Sequence, residues 1–421
     1  MNCELASSAS ICLGEKLSFG SAHRCRLHYP FHNSSGSPTD RCNWPDCVEA
    51  ELASAVAHTL TSTSERLELR AASLRCDLQL SNTAIAALIA IDCVFQGHVA
   101  LREVEILGDL KLDRTAFAKS LRLEDCSILK IATIQSVIVH GQTTIISTSF
   151  HDDSHLGDSK FKCVASFEQS IFRRYASIRD CSFEDYAIFR KTQFLGYFNC
   201  KRAIFARDTV FDHAHFAAVT SFDGAQFKED VSLAQCRFDR PPTFQSAEFR
   251  GWLSASSARF TDTSSVESYT AYRTLRLIFA AKDAKREEMQ MFRLEQDALV
   301  QQEPNGILKA LGRMYGFLSL YGTSATRPAA VLVLSNAIFF VVYLAFALLQ
   351  PKPVTQPKLT AATHLFKQIF SPFSVWTKNN EPTWIASGQL GLQLLSSVQT
   401  LITLAAVALM SVALHWRFRK T

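Results

Sequence analysis

The chain lacks a large excess of charge of either sign. It holds 44 Lys and Arg residues against 39 Asp and Glu residues, for a net charge of +5. Between residues 95 and 260 there are 20 acidic and 21 basic residues. Nucleic-acid binding needs a concentrated positive surface, and imitation of a nucleic acid needs a strongly negative one. The charge balance excludes both, so no nucleic-acid partner is expected.

The chain also lacks the common motifs of catalysis. It has no Gly-rich phosphate loop, no Gly-x-Ser-x-Gly elbow, no His-Glu-x-x-His pair and no dinucleotide fingerprint. Two groups are dense in ionisable side chains: His151-Asp-Asp-Ser-His155, which we interpret as a loop, and Asp212-His-Ala-His215. If His213 and His215 share one face of a strand, a surface metal site and ordinary exposed polar positions are both possible. Enzyme activity is not expected.

The middle of the chain is a repeat array with an eleven-residue period. A second apolar column lies five residues before the first and runs from Leu101 to Phe244, with Cys200 and Ala255 as small members. Two residues before the first column the side chain is usually small, as at Ser159 and Cys181. The first column consists of apolar residues in one phase: Phe95, Ile106, Phe117, Ile128, Val139, Phe150, Phe161, Phe172, Phe183, Phe194, Phe205, Phe216, Phe227, Phe238, Phe249 and Phe260.

A right-handed helical coiled coil also has an eleven-residue period, but it does not fit this pattern. Residues five apart in such a helix lie roughly 130° apart around its axis, so the two columns could not share one buried stripe. The units are rich in Phe, Ile, Thr, Ser and Cys, which suit short strands. The array is therefore predicted to be a β-solenoid.

Segments such as Ala165-Ser-Phe-Glu-Gln-Ser-Ile-Phe172 and Ser221-Phe-Asp-Gly-Ala-Gln-Phe227 resemble the pentapeptide-repeat family. The resemblance covers roughly residues 66 to 260. It implies an all-β right-handed quadrilateral β-helix with Phe or Leu pointing inward and coils of about 22 residues. At Val139, Cys200 and Ala255 the inward residue is smaller than the family favours, and the step shortens to ten residues at Ile85. Soluble members that imitate DNA are acidic rods, unlike this nearly neutral one.

Two charge-free runs near the C-terminus predict transmembrane helices. Residues 329–349 and 392–414 are each long enough to cross about 30 Å of hydrocarbon. A helix buried in a large soluble core is the alternative. Two such runs beside a solenoid favour membrane spans, which makes the lipid bilayer an expected partner.

The flanks of these runs predict their orientation. Arg313 and Arg327 precede the first run, and Arg417, Arg419 and Lys420 follow the second. The positive-inside rule then places both termini in the cytoplasm, although the lysines between the runs weaken the bias. No continuous apolar stretch resembling a secretory signal occurs in the first twenty residues. The expected location is therefore a membrane, in bacteria the inner membrane.

The twelve cysteines are expected to be reduced in the cytoplasm. Cys93, Cys126, Cys181 and Cys236 fall at the small position of the repeat, where a thiol acts as a compact filler, and disulfides are the alternative.

The N-terminal cysteines suggest a different role. Some membrane-bound members of the pentapeptide-repeat family begin with a short Cys/His knuckle, and Cys3, Cys12, Cys25 and His28 resemble a loose version of it. A structural zinc site with these four ligands and a disordered, reduced leader are the two interpretations. No other cofactor is expected.

Residues 266–303 lack Gly and Pro and carry apolar residues at helical spacing, which predicts a helical connector ending at Pro304 and Gly306. The apolar residues from Ile307 to Leu318, with Lys309 and Arg313, could then lie along a membrane surface.

The sequence thus predicts seven parts. They are a Cys-rich leader with a possible zinc knuckle (1–65), a solenoid (66–265), a helical connector and juxtamembrane segment (266–328), a first span (329–349), a loop (350–391), a second span (392–414) and a basic cytoplasmic tail (415–421).

The expected function is a membrane-anchored, non-enzymatic scaffold or sensor that binds a protein partner not named by the sequence. The alternative is an oligomeric two-span ion channel, with Ser396, Ser397, Gln399 and Thr400 along a pathway. Against the channel, Gln399 is also suited to joining two helices, and no carbonyl filter sequence is present. Self-association through an uncapped solenoid end is possible.

Overall fold

The computed structural model describes residues 16–19, 22–31, 37–62, 66–349, 356–370 and 390–418. The chain divides into two compact units, Met1–Met291 and Phe292–Thr421, and each is described by itself.

The first unit is a parallel-strand β-solenoid of about nine turns, which confirms the predicted fold class. Strands pair in register at an interval of 22 residues, as Phe117 pairs with Phe95 and with Val139. At the N-terminal end Leu74 pairs with Phe95, an interval of 21 residues. This shorter coil accounts for the ten-residue step at Ile85.

The strands form four stacks. One stack consists of β4 (Ser73–Leu74), β7 (Val94–Phe95), β10 (Ala116–Phe117), β14 (Ile138–Val139), β18 (Lys160–Phe161), β22 (Ser182–Phe183), β26 (Ile204–Phe205), β30 (Gln226–Phe227) and β33 (Glu248–Phe249). A second consists of β3 (Glu68–Arg70), β6 (Leu88–Ile91), β9 (Leu110–Asp113), β13 (Ala132–Gln135), β17 (Ser154–His155), β21 (Ala176–Ser177), β25 (Phe198–Asn199) and β29 (Thr220–Ser221).

The other two stacks share one sheet, because β5 and β8 run around a corner. The third consists of β5 (Leu78–Ile85), β8 (Val99–Ile106), β11 (Leu121–Glu124), β15 (Thr143–Ile146), β19 (Ala165–Ser166), β23 (Ala187–Ile188), β27 (Thr209–Val210), β31 (Val231–Ser232) and β34 (Leu253–Ser254). The fourth continues from β8 through β12 (Ser127–Ile128), β16 (Ser149–Phe150), β20 (Ile171–Phe172), β24 (Gln193–Phe194), β28 (His215–Phe216), β32 (Arg237–Phe238) and β35 (Arg259–Phe260).

Stacked aromatic rings fill the core of the solenoid. The Phe183 ring lies parallel to those of Phe161 and Phe205, at 4.9 and 5.0 Å between ring centroids. These distances match the spacing of neighbouring strands, about 4.8 Å. Each phenylalanine therefore packs directly on its counterpart in the next coil, and both predicted columns point inward.

One corner of every half-coil has left-handed backbone. These positions recur at eleven-residue intervals from Asp92 through Gln169 to Ser257. Only one of them in the array is a glycine, Gly224. Left-handed backbone costs about 1 kcal/mol or more for other residues. The regular strain shows that stacking, and not local preference, determines the path of the corners.

The small residue before each core phenylalanine also makes a hydrogen bond, which the sequence analysis did not predict. Ser170 Oγ donates to the Ile145 carbonyl at 2.9 Å, and Cys181 Sγ donates to the Leu156 carbonyl at 2.6 Å. In both cases the acceptor lies 25 residues earlier, in the preceding coil. The cysteines are therefore donors between coils as well as fillers.

We expect the buried cysteines to resist alkylation. The cysteines in the described part of the chain are all free thiols. Burial raises the pKa of the Cys181 and Cys236 thiols to about 12, so the reactive thiolate is scarce at neutral pH. Peptide mapping after iodoacetamide treatment should show both unmodified in native protein and modified in denaturant. Exposed Cys47 is the control and should be modified in both; rapid native labelling of Cys181 would contradict the packing.

Phe198 occupies the core space that Cys200 leaves open. The Phe198 side chain is fully buried, and its ring centroid lies 4.0 Å from that of Phe194 and 5.9 Å from that of Phe222. One coil earlier, the equivalent of Phe198 is the small residue Ala176. The large side chain has thus moved two positions along the chain, and the coil keeps its filling.

The other two weak positions also have larger neighbours. Leu253 is 3% exposed beside Ala255, and Val137 is fully buried beside Val139. Each coil therefore keeps a large apolar side chain near its weak position.

The N-terminal end of the solenoid is covered by helix α1 (Asp46–Ser62), which the sequence analysis did not predict. Its buried face includes Leu52, Val56 and Leu60, and it packs on β4 and β5. Upstream lie the antiparallel pair β1 (Lys16–Phe19) and β2 (Ala22–Cys25) and two 3-10 turns, Arg26–His28 and Asp40–Asn43. Residues 37–62 are therefore structured, unlike the disordered leader considered above.

A buried ion pair holds this N-terminal segment. The guanidinium of Arg41 donates to both carboxylate oxygens of Glu49, at 2.8 and 2.9 Å, and both side chains are fully buried. Arg41 also donates to the carbonyls of Leu27, Tyr29 and Ser73. Since Ser73 begins β4, one side chain connects the leader, α1 and the first coil.

Two helices follow the last coil, where a single helix was predicted. They are α2 (Ser268–Ala281) and α3 (Lys285–Gln302), separated at Asp283, which has a φ of 53°. In α2, Tyr272 and Phe279 are fully buried, and Tyr272 packs edge-on against Phe260. The last coil is therefore covered, and an open end for self-association is not observed.

The second unit contains the end of α3 and four further helices among its described residues. These are α4 (Gly306–Ser319), α5 (Thr326–Leu348), α6 (Pro357–Phe370) and α7 (Leu390–Phe418). The Asn305 side chain accepts hydrogen bonds from the first turn of α4, at Ile307 N and Leu308 N. Helices α5, α6 and α7 pack against one another.

Candidate functional site: a polar cluster among apolar helices

Helices α5 and α7 have an inverted distribution of polarity. Residues 326–348 and 394–415 form helices long and apolar enough to cross a membrane, by length and composition. On α5 the outward side chains of Val333, Leu334 and Ile338 are more than 60% exposed. The buried polar side chains lie between the helices: Asn336, Tyr343, His364, Gln368, Ser396, Gln399, Thr400 and Thr403. A soluble bundle would place these two classes of residue the other way round.

Hydrogen bonds join α7 to α5 through Gln399. Tyr343 OH donates to Gln399 Oε1 at 2.6 Å, and Gln399 Nε2 donates to Asn336 Oδ1 at 2.9 Å. Asn336 Nδ2 donates to the Leu332 carbonyl at 2.8 Å. Because a carbonyl only accepts, this last bond determines which way both amide groups point.

The network continues to α6 through Ser396. Its Oγ lies 3.3 Å from Tyr343 OH and 3.1 Å from His364 Nε2. The single phenolic proton of Tyr343 serves the shorter bond to Gln399, so Ser396 donates to the Tyr343 oxygen. Ser396 then accepts from His364, whose Nε2 carries the proton. All the donors thus point from α6 towards α5.

Two further contacts fix α6 against its neighbours. The His364 ring packs edge-on against Tyr343, with 4.7 Å between ring centroids. Thr400 Oγ1 donates to Gln368 Oε1 at 3.2 Å. At about 1.5 Å per residue, the 14 residues of α6 span about 21 Å, less than the hydrocarbon thickness. Helix α6 is therefore a partial helix held by polar bonds between the two long ones.

The sequence analysis found only one side of this cluster. It predicted that Gln399 joins two helices, and the bonds to Tyr343 and Asn336 confirm this. It missed four members: Asn336, Tyr343, His364 and Gln368. Their spacing carried a signal, because residues seven apart (336 and 343) and four apart (364 and 368) lie on one face of a helix.

The predicted zinc ligands lie partly in the described structure. Cys25 Sγ and His28 Nδ1 are 3.0 Å apart, and both side chains are buried. Cys3 and Cys12 lie outside the described residues. Among the residues that the structure does describe, no group of three or more His, Cys, Asp or Glu side chains is arranged to hold a metal ion.

The histidines of the solenoid do not form the predicted arrangement. His213 has left-handed backbone at a corner, with φ of 60°, so it does not share a strand with His215. His215 Nε2 lies 2.7 Å from Asp239 Oδ2. His155, predicted to lie in a loop, belongs to β17, which pairs with β13 and β21.

The comparisons with known proteins agree with the solenoid fold. A family model described as pentapeptide repeats (9 copies) matches residues 201–241 and 222–267. No curated protein and no solved structure matches the chain. The first unit is thus a pentapeptide-repeat solenoid, a fold typical of protein-binding scaffolds.

Proposed function

We propose that this chain is a two-span membrane protein whose solenoid is a non-enzymatic scaffold for a protein partner at the bacterial inner membrane. The observation that carries the proposal is the inverted polarity of α5 and α7. In lipid, apolar side chains face outward at no cost, whereas polar groups need partners inside the bundle. The network of Tyr343, Ser396 and Gln399 supplies such partners.

Alkaline carbonate extraction of the full-length chain tests the membrane proposal. We expect the protein to remain in the membrane pellet. Ile338→Asp, which places a charge on the outer face of α5, should reduce the pellet fraction severalfold, since a central Asp costs about 3 kcal/mol on insertion. Ile138→Asp makes the same change on an outward position of the solenoid and should have no effect on extraction. Release of the unaltered chain would contradict the proposal.

The cytoplasmic placement of both termini follows from the basic residues at the outer flanks of the spans. We propose that Arg313 and Arg327 before α5, with Arg417 and the tail after it, remain on the cytoplasmic side. Protease digestion of right-side-out and inverted vesicles, with antibodies to tags at each end, tests this placement. Cleavage of both tags only in inverted vesicles is expected.

The solenoid offers exposed aromatic side chains to a protein partner. Trp252 is 67% exposed and Tyr186 is 46% exposed. Such residues are common anchors of interfaces. Affinity capture with the full chain in detergent should recover a partner that is lost with Trp252→Ala and retained with Lys228→Ala, a nearby exposed control. A partner retained by both variants would contradict a role for Trp252.

An oligomeric ion channel is the second candidate, and the buried polar cluster favours it. Polar side chains within a membrane bundle are often part of an ion pathway. Flux through reconstituted full-length protein tests this function. Conductance above empty liposomes that changes in Gln399→Leu would support it, whereas absence of conductance would leave Gln399 a link between helices.

We also propose a structural zinc ion held by Cys3, Cys12, Cys25 and His28. Thiolate and imidazole are the ligands that zinc prefers, and Cys25 and His28 already lie side by side. We expect about one zinc per chain by inductively coupled plasma mass spectrometry. The zinc content should fall in Cys25→Ser and persist in Cys47→Ser. Equal zinc content in both variants, or none in the unaltered protein, would contradict the site.

A further inference from the structure

Helix α4 presents an apolar face to solvent. Ile307 and Phe317 are 74% and 75% exposed, and Leu308, Leu311 and Met314 are each more than half exposed. At 100° per residue these side chains cover about half of the helix circumference. So much apolar surface on one short helix requires a covering partner.

The opposite face of α4 packs within its own unit. A Cβ atom on Gly312 would lie 2.6 Å from Val300 Cγ2, and one on Gly316 would lie 2.7 Å from the Tyr321 ring. The two glycines therefore allow α3 and Tyr321 to approach the helix closely. This packing directs the apolar face outward.

Three basic side chains border the apolar face. Lys309 Nζ donates to the Gln301 carbonyl at 2.6 Å, and an Arg313 nitrogen donates to Gln301 Oε1 at 3.3 Å. An Arg327 nitrogen donates to the Phe317 carbonyl at 3.0 Å, in the last turn of α4. In the part of the chain that the structure describes, none of these cations forms a salt bridge with a carboxylate. Their charge is available to an external anion.

The basic side chains lie close to the start of the first long apolar helix. Only six residues separate α4 from α5, and Leu320, Tyr321 and Gly322 all have left-handed backbone. The amide of Gly322 donates to Ser319 Oγ at 3.0 Å, and Tyr321 OH donates to Asp297 on α3 at 3.1 Å. The elbow is therefore a tight, bonded turn that holds α4 beside the base of α5.

A fourth cation adds to the positive potential at this place. Arg293 on α3 donates to Thr323 Oγ1 in the elbow. Burial lowers the pKa of its guanidinium, and the nearby charge of Arg327 lowers it further. A bound anion would relieve this repulsion.

We propose that α4 and the base of α5 bind the headgroups of anionic phospholipids, with the apolar face of α4 in the acyl boundary and Lys309, Arg313 and Arg327 on the phosphates. This inference rests on the proposed membrane insertion and adds the class of lipid. A zwitterionic bilayer could cover the apolar residues, but it would leave the three cations without a counter-charge. Anionic lipid satisfies both parts of the surface.

Lipid titration of the delipidated full-length chain in detergent, followed by native mass spectrometry, tests the proposal. We expect phosphatidylglycerol to bind well below the concentration needed for phosphatidylcholine. A basic residue near a membrane contributes about 1 kcal/mol, so the triple variant Lys309→Gln, Arg313→Gln, Arg327→Gln should bind phosphatidylglycerol about 100-fold more weakly. Its phosphatidylcholine binding should not change.

A matched variant controls for total charge. Lys162→Gln, Arg207→Gln, Lys228→Gln removes the same number of charges from exposed positions of the solenoid and should bind phosphatidylglycerol as the unaltered chain does. A second variant, Ile307→Ser with Phe317→Ser, removes apolar contact but no charge and should weaken binding about tenfold. Matching circular dichroism spectra would show that the variants fold.

Several outcomes would overturn the inference. These are equal affinity for the two lipids, unchanged affinity in the basic triple variant, and competition by free glycerol 3-phosphate at the concentration of the lipid. Capture of another protein by α4 in place of lipid would overturn it as well. Carbonate extraction separates this failure from that of the proposed function: a chain that stays in the membrane without lipid preference refutes only the anionic-lipid site.

Discussion

Phe198→Ala should lower the free energy of unfolding of the solenoid by about 3–5 kcal/mol. The Phe198 ring is fully buried against Phe194 and Phe222, and the neighbouring Cys200 is too small to fill the cavity. A urea titration of the full chain in detergent, followed by circular dichroism at the strand minimum, would measure the loss. For a solenoid, such a loss in one coil is also expected to lower the cooperativity of unfolding.

The matched variant restores the ring at the other position. Phe198→Ala combined with Cys200→Phe gives this coil the pattern of its neighbours, a small residue followed two positions later by a large one. We expect most of the stability to return. If the double variant is no more stable than Phe198→Ala, the explanation by exchanged positions is wrong.

Glu49→Ala should destabilise the N-terminal end of the first unit by about 3–5 kcal/mol. The substitution leaves the Arg41 guanidinium fully buried without its carboxylate partner, and an unpaired buried charge carries a large desolvation penalty. Because Arg41 also binds the Ser73 carbonyl, α1 should separate from the first coil before the rest of the solenoid unfolds. Hydrogen exchange in β4 and β5 would report this separation.

Glu51→Ala is the control, since Glu51 lies on the same helix but is exposed. Its effect on stability should stay within about 0.5 kcal/mol. Equal exchange rates in the two variants would show that the Arg41 ion pair does not hold the cap.

The solenoid could be predicted because its information is periodic. Each Phe in the column repeats the same local choice, so sixteen weak signals combine into one register. The compensation between Phe198 and Cys200 could not be predicted from the columns, since it breaks the period locally. It becomes visible only when the neighbouring rings are in place.

The helices that cover the ends were harder to predict. Helix α1 follows a segment rich in Cys and Pro and has only a weak apolar stripe, so its stability comes mainly from packing on β4 and β5. The break at Asp283 contains neither Gly nor Pro. Contacts distant in sequence determine both features.

The polar cluster was found in part for a related reason. Gln399 is conspicuous within a charge-free run, which is why its role between helices could be inferred. His364 lies in a segment with no strong pattern, and its contact with Ser396 joins residues 32 positions apart. No spacing rule reads such a pair.

The constant 22-residue register has a consequence for how this protein can change in length. Duplicating one full turn would add about 4.8 Å to the rod and a new strip of surface, while the first and last turns would keep their covering helices. A gain or loss of any other number of residues would turn every later ring out of its column. The reach of the scaffold can therefore vary in whole turns without redesign of either end.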